Sequence, residues 1–530
     1  MAFVTRTRGF AVVALGTLFL WGCASEPPAA AEVDTTTAAA HPEQALIDDV
    51  VLAYWMFVRE VGILDTAGHV SARSQLDPNR YFISRYVAPG AVSTVDIIEN
   101  TLDSSAVDGP RTDQVRETEL HGEIFKARPD VMAIVHAHTP ELVAFGMSSV
   151  PLWSGDTILP VWDIRLFNEG VTGTVQTPAL GRAMARGLGD SGSVLLWGHG
   201  VAVTSSSLHD LVPATLDLRT TARLQQATVA MGGTWDPEAR RAGLGAGAAS
   251  NGAAQGNRTW GALKRAVLED MGGQIPSSPP PVPVRPADPD EAAKLDLAYV
   301  NRVLASDEIS VLDAYGHVSV RSPSDPNRFF VAPDVAAGVM TVDDIVERGL
   351  DDPGDQGLSV HADVYRARPD VMAVLYADTP EVVAVTERGV PLRPVVNGGS
   401  FLSDGFGVFD IGSLDPAQPI LSNPMLGRGV VEALGDGNAL VVLPRHGFVL
   451  TGTSLSGLAG RAASVRANSI IQQMAVALRG EVAYLDDPTP PPDPAAEPLE
   501  DPGPGPTFPE GETAGGGRGW VYWMQTTSLD

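Results

Sequence analysis

Residues 133–140 read AIVHAHTP. Small and apolar residues running into His136 and His138 have the pattern of a buried strand's end, and side chains two apart on a strand share a face. Two imidazoles presented together can grip a divalent metal. Zinc used for catalysis takes three protein nitrogens, or nitrogens with a carboxylate, and keeps one position open. His199 lies between Gly198 and Gly200, whose lack of a side chain permits close backbone approach, and is the candidate for the third imidazole. Glu117, Glu119 and Glu123 lie on the preceding helix within reach of the pair, and Glu117 shares a helix face with His121 at i, i+4. A metal held this way acts as a Lewis acid while a carboxylate beside it moves a proton.

Composition narrows the partners. The formal net charge of −28 argues against nucleic acid or an anionic membrane surface. Lys126, Lys264 and Lys294 are the only lysines, and all three sit in charge-dotted, helix-like stretches. A Schiff-base aldolase, which needs a desolvated lysine, has no candidate nucleophile. Cys23 is the single cysteine, which excludes intramolecular disulfides and thiolate metal sites. Arg6 and Arg8 precede the apolar run FAVVALGTLFLWG, which reads as an export signal. Leu20-Trp21-Gly22-Cys23 resembles a bacterial lipobox, so we expect an exported bacterial lipoprotein, held at the membrane only through a lipid on Cys23.

The chain says almost everything twice. DTAGHVSARSQLDPNRYFIS at 65–84 returns as DAYGHVSVRSPSDPNRFFVA at 313–332, and HGEIFKARPDVMAIVHAHTPELVA at 121–144 returns as HADVYRARPDVMAVLYADTPEVVA at 361–384. LLWGHGVAV is likewise echoed by VLPRHGFVL. These repeats predict a signal segment over 1–23, a tether over 24–42, a first domain over 43–275, a Pro-rich linker over 276–290, a second domain over 291–486 and a Pro/Gly-rich tail over 487–530. Both copies end in a short Arg-x-Trp segment expected to dock back; the second, GRGWVYWMQTTSLD, is a poor helix former.

The elements that must position the histidines follow from periodicity. We expect helices over 46–60, 116–127, 178–188 and 208–231, another from Pro140, strands at HVSAR, RYFIS and IVHAH, and a hairpin through VLLWGHGVAV. Short strands mixed with helices predict an α+β fold, with a mostly antiparallel central sheet between helices in three α/β/α layers.

Glu117-x3-His121, Arg128-Pro129-Asp130, His136-Ala137-His138 and His199-Gly200 together resemble the class II aldolase/adducin family, over 46–235 and again over about 291–485. The resemblance implies that His136, His138 and His199 ligate zinc and that Glu117, 19 residues before His136, is the acid/base group. It also implies a lyase acting on a small hydroxy-carbonyl or oxo acid through a zinc-stabilised enediolate, by aldol cleavage or decarboxylation. Epimerases, dehydratases and the non-catalytic scaffold adducin are alternatives within the family. Family members are commonly tetramers, which implies a homo-oligomer here, a dimer forming a pseudo-tetramer. The phosphate-binding members carry asparagine where this chain has His69, and Ser-Ser where it has Val115 and Arg116. Arg73 or Arg116 would then bind a substrate carboxylate, with His69 and His121 as further substrate-site candidates. Arg128-Pro129-Asp130 reads as a helix stop with an ion pair; His41 and His209 have no assigned role.

The second copy lacks the set. The position matching Glu117 is Gly357, and Tyr376 and Asp378 replace two imidazoles, leaving only His361 and His446. We expect catalysis in the first copy alone.

Overall fold

Alternation within short strands decides the layering. In a computed structural model the chain is described over residues 41–167, 173–239, 252–353, 358–387, 391–414, 423–498, 500–501 and 517–529. The expected signal segment, Cys23 and nearly all of the tether lie outside the described residues, as does Gly357. Among the described residues no helix is long and apolar enough to cross a membrane.

The first copy runs α1 (Gln44–Trp55), β1 (His69–Arg73), β2 (Arg80–Ser84), β3 (Ile97–Thr101), α2 (Thr118–Ala127), β4 (Ala133–Ala137) and α3 (Pro140–Gly146). A small hairpin of β5 (Trp153–Ser154) and β6 (Thr157–Ile158) follows, then β7 (Val161–Trp162), α4 (Pro178–Leu188), β8 (Ser193–Leu196), β9 (Gly200–Ser205) and α5 (Leu208–Ala230). Helix α6 (Gly252–Asp270) closes it against α5. The sheet order is β3-β2-β1-β4-β9-β8-β7, antiparallel except for the β7–β8 pair. The second copy repeats it with α7 (Pro289–Leu304), β10 (His317–Arg321), β11 (Arg328–Val331), β12 (Val346–Gly349), α8 (Leu358–Ala367), β13 (Ala373–Ala377), α9 (Pro380–Glu387), β14 (Gly407–Val408), α10 (Pro424–Leu434), β15 (Leu440–Leu443), β16 (Gly447–Gly452) and α11 (Leu455–Ala477). Its sheet order, β12-β11-β10-β13-β16-β15-β14, is the same.

Each central strand is buried on both sides, which makes the fold three-layered. Ala133, Val135 and Ala137 of β4, Val70 and Ala72 of β1, and Val201 and Val203 of β9 join the core under α1 and α5. Ile134 and Ala202 face the opposite core under α2 and α4. By period two, His69, Ser71, Arg73 and His136 project to that second side. Residues His69 and His136 are cross-strand partners, as are His136 and Ala202.

Two expectations are corrected. The helix over 46–60 is α-helical only to Trp55 and continues as a π-helical turn over Met56–Glu60. The terminal segment is a helix after all, α12 (Gly517–Thr526). Trp520, Tyr522, Trp523 and Met524 are buried in a cluster that spans α7 and α11 and includes Ala88 and Ala91 of the first copy. Packing of one apolar face outweighs weak intrinsic propensity. A further inter-copy cluster joins Val143, Ala144, Met147 and Trp197 to Val395, Ile471 and Ala475.

Arg73 is not a substrate residue. Its guanidinium is taken up by the carbonyls of Val131 (3.0 Å), Phe125 (2.6 Å), Arg128 (3.2 Å) and Pro78. Arg321 makes the same set in the second copy, to Val371, Pro326, Tyr365 and Arg368. A fork of donors that ties a strand end to the α2–β4 turn is a structural joint. Arg73→Ala is expected to destabilise the protein by about 3 kcal/mol, because buried carbonyls lose a charged donor, while chemically folded protein keeps its metal affinity; denaturant titration and metal competition check the two halves.

Candidate metal centre

Four elements converge on one point. Strand β4 supplies His136 and its edge His138, the β8–β9 hairpin supplies His199, and the residue preceding α2 supplies Glu117. His136 Nε2 lies 3.0 Å from His138 Nε2 and 3.3 Å from His199 Nε2. Glu117 Oε2 is 3.4 Å from His136 Nε2 and 3.6 Å from His199 Nε2. Ligand atoms of all four residues fall within 4.8 Å of one another, the one such group among the described residues. A tetrahedral ion with bonds of about 2.0–2.1 Å sets its ligand atoms about 3.3–3.4 Å apart, which the four separations about His136 and Glu117 approach.

Hydrogen bonding on the far side of each ring decides which nitrogen faces inward. His136 Nδ1 is 3.1 Å from the Val201 carbonyl, which only an N–H can satisfy, and this leaves Nε2 as a lone pair. His138 Nδ1 sits 3.2 Å from both Asp65 carboxylate oxygens, with the same consequence, and such a carboxylate behind an imidazole also fixes ring orientation. The Glu117 Oε1 atom accepts the Val175 N–H at 2.8 Å, which turns Oε2 toward the imidazoles. Converging lone pairs and a carboxylate repel one another unless a cation lies among them, so the residues present fit a divalent metal.

Burial and charge set the protonation states. For Glu117, burial favours the neutral acid, but the charges of His199 and His136 and the hydrogen bond of His69 outweigh it and hold the carboxyl well below its ordinary value. Burial holds His136 well below the ordinary imidazole value and pushes His199 down to about 4. At His138 burial is overcome by the charge and hydrogen bond of Asp65, and the value is raised.

Behind Glu117 runs a relay. His69 Nε2 is 3.7 Å from Glu117 Oε2, His69 Nδ1 is 2.7 Å from His121 Nε2, and His121 Nδ1 is 2.6 Å from Ser71 Oγ. His69 therefore walls the centre, whereas His121, fully buried behind it, supports His69 and does not reach a substrate. Arg116 is exposed, and no hydrogen bond or ion pair joins it to the centre. Arg128 pairs with Asp130 and with the carbonyls of Gly189 and Ser191, a structural clamp. His209 pairs with Asp49 and stacks on Trp260, away from the site. Sequence reading missed Asp65. Its signal was present in Asp-x-x-Gly-His at both 65–69 and 313–317, but that pattern also closes a turn, and Asp65 Oδ1 indeed accepts the N–H groups of Ala67 and Gly68.

The glycine after His199 is a packing requirement. A Cβ on Gly200 would lie 2.4 Å from the Ala137 carbonyl oxygen and 2.9 Å from His138 Cδ2. Gly200→Ala is expected to weaken divalent-metal binding by about tenfold or more, with the folded state retained; chelator competition beside circular dichroism reads both.

In the second copy Ser319–His361–His317 preserves the relay, at 2.7 and 2.9 Å, without its carboxylate. Tyr376 hydroxyl bonds to His446 Nε2, filling the place of an imidazole pair. Asp378 stands where His138 stands, and burial together with the charge of Asp313 raises its carboxyl. Burial pushes His317 down to about 4 and, with the neighbouring His317, holds His361 well below 6.5. These rings stay neutral in the folded chain while the unfolded chain takes up protons. The stability involved is thus present above pH 6.5 and lost as pH falls through the depressed folded values. Consequently the unfolding free-energy gap between the parent and His361→Gln is expected to narrow as pH falls from about 6.5 toward 4, measured by urea titration.

A family model described as Class II Aldolase and Adducin N-terminal domain matches residues 49–226 and again 295–472. The chain belongs to this family, as a tandem duplication. It is 30% identical over 199 residues to the decarboxylase tropJ of Talaromyces stipitatus, covering 34% of this chain and 75% of that one. With a 3,4-dihydroxyphthalate decarboxylase of Rhodococcus jostii it shares 29% over 126 residues, 22% of this chain and 51% of the relative. Among solved structures, an aldolase II superfamily protein from Pseudomonas syringae matches at 18% identity and a TM-score of 0.38, over 44% of this chain and 96% of that one.

Proposed function

We propose that the first copy is a metal-dependent lyase that breaks a carbon–carbon bond, by decarboxylation or aldol cleavage, in a small hydroxy-carbonyl or oxo-acid substrate, and that its metal is zinc. The observation that carries this reading is the convergence of three imidazole nitrogens and a Glu117 oxygen within 4.8 Å of one another, with the outer nitrogens of His136 and His138 already engaged. The decarboxylase names of two relatives support the bond type.

Bound by His136, His138 and His199, a divalent ion supplies Lewis acidity toward a substrate oxygen and offsets the negative charge left when the bond breaks. Glu117 begins ionised, because the imidazoles around it stabilise its charge. In aldol cleavage its Oε2 accepts a proton from the substrate hydroxyl and returns it to the carbon left behind; in decarboxylation it passes to that carbon a proton first taken from water. The Val175 N–H keeps Oε1 out of this exchange. His69 fixes the carboxylate from behind and excludes water from that side. The second copy, with a tyrosine and an aspartate in place of two imidazoles, has a binding or supporting role without chemistry.

Purified full-length protein is expected to hold a divalent metal and to release carbon dioxide or an aldehyde from members of a hydroxy-acid and oxo-acid panel. His136→Ala should lose metal and activity together. Glu117→Gln should retain most of the metal and lose activity by about a hundredfold or more. Elemental analysis showing parental metal content in His136→Ala would reject the assignment.

A further inference from the structure

Three segments that bear or orient ligands of the first copy are fastened by residues of the second copy or its terminal helix. Asn397 is the busiest of these. Its side-chain Nδ2 donates to the Gly173 carbonyl at 2.9 Å, two residues from Val175, whose N–H orients Glu117. Its backbone N–H donates to the Gly198 carbonyl at 2.9 Å, directly before His199. Gly198 itself has φ +62° and packs so closely on Leu485 that a Cβ there would come within 2.5 Å of Leu485 Cδ2. One side chain and one backbone group of Asn397 thus tie the segment holding Glu117 to the turn holding His199.

The third segment is held from the opposite side by α12. Arg518 donates from one Nη to the Ala67 carbonyl and from the other to the Val87 carbonyl at 3.4 Å, with its guanidinium carbon 4.4 Å from the centre of the Tyr86 ring. Ala67 N–H is bonded to Asp65 Oδ1 at 2.8 Å, and Asp65 backs His138 at 3.2 Å. An unbroken hydrogen-bonded chain therefore runs from Arg518 through Ala67 and Asp65 to His138. Buried Trp520, Tyr522, Trp523 and Met524 root this helix, so the guanidinium is presented from a fixed base.

We infer that Asn397 and Arg518 are positioning residues for the metal centre of the first copy. The second copy, having lost its own ligand set, holds Glu117, His138 and His199 at their mutual distances. A metal site gains affinity when its ligands are already oriented, and groups that orient ligands typically change metal affinity by about 10–100-fold when removed. Each of these two residues acts one or two hydrogen bonds behind a ligand, which places the expected effect near the lower end of that range.

The test uses the full chain and zinc alone, with affinity read by competition against a chromophoric chelator and folding read by thermal melts of metal-free protein. Asn397→Asp keeps the side chain's shape but removes the donor and sets a carboxylate against the Gly173 carbonyl; Arg518→Ala removes the bond to Ala67. Each is expected to weaken zinc binding by about tenfold, and Arg518→Lys, which can still donate to Ala67, should recover much of the loss. Arg479→Ala is the comparison, because Arg479 bonds to the Ala230 carbonyl of the first copy at 3.1 Å, a contact between the copies that touches no ligand segment. It should alter melting without altering zinc affinity. The inference is overturned if folded Asn397→Asp and Arg518→Ala both stay within about twofold of the parent, or if Arg479→Ala loses as much affinity as they do. A parent chain that binds no zinc would overturn the metal reading itself and this inference with it, so the two failures are told apart by the parent alone.

Discussion

Holding three imidazole lone pairs and a carboxylate within 4.8 Å of one another, with only His138 partly open to water, is the constraint around which the first copy is organised. The arrangement opposes itself electrostatically until a cation enters, so the scaffold must hold it from outside. Period two along β4 puts His136 on the side of the sheet covered by α2 and α4, and the strand's edge carries His138 around to meet it. Gly200 lets β9 approach β4 closely enough for His199 to arrive as the third nitrogen. The Val201 carbonyl, the Asp65 carboxylate and the Val175 N–H then each fix one ligand from behind.

The duplication separates folding requirements from chemical ones within a single molecule. Arg73 and Arg321 clamp equivalent turns, Ser71–His121 and Ser319–His361 make equivalent buried bonds, and Ser93–Asp96 and Thr341–Asp344 form equivalent capping boxes. None of these distinguishes the copy with a metal centre from the copy without one. What differs is confined to the ligand positions, where the second copy closes the gap with a Tyr376–His446 hydrogen bond and leaves Asp378 facing Asp313.

The second copy also serves as surface for the first. Its Val395, Ile471 and Ala475 pack against the helix and turn that flank His199, and the terminal helix lies over the segment that carries Asp65. Local rigidity around the metal centre therefore depends on residues far away in sequence.

Much of this was legible in the residues alone. The repeat, the alternating strand before His136 and the layered α+β fold rest on periodicity and on motifs, which a sequence carries openly, while the role of Glu117 came from resemblance to a family. The roles of arginine were not. A guanidinium reads identically whether it meets a substrate or four backbone carbonyls, so Arg73 was a plausible carboxylate binder until its partners were seen. The terminal helix was misjudged because its stability comes from aromatic burial against another layer, which propensity cannot register. Asn397 carried no signal, and Arg518 only that of a repeated Arg-x-Trp segment expected to dock, since a positioning hydrogen bond is defined by where two remote segments meet. Residue types and their spacing determined which chemistry the chain could perform; tertiary structure decided which groups were left free to perform it, because packing assigns each donor and acceptor its partner.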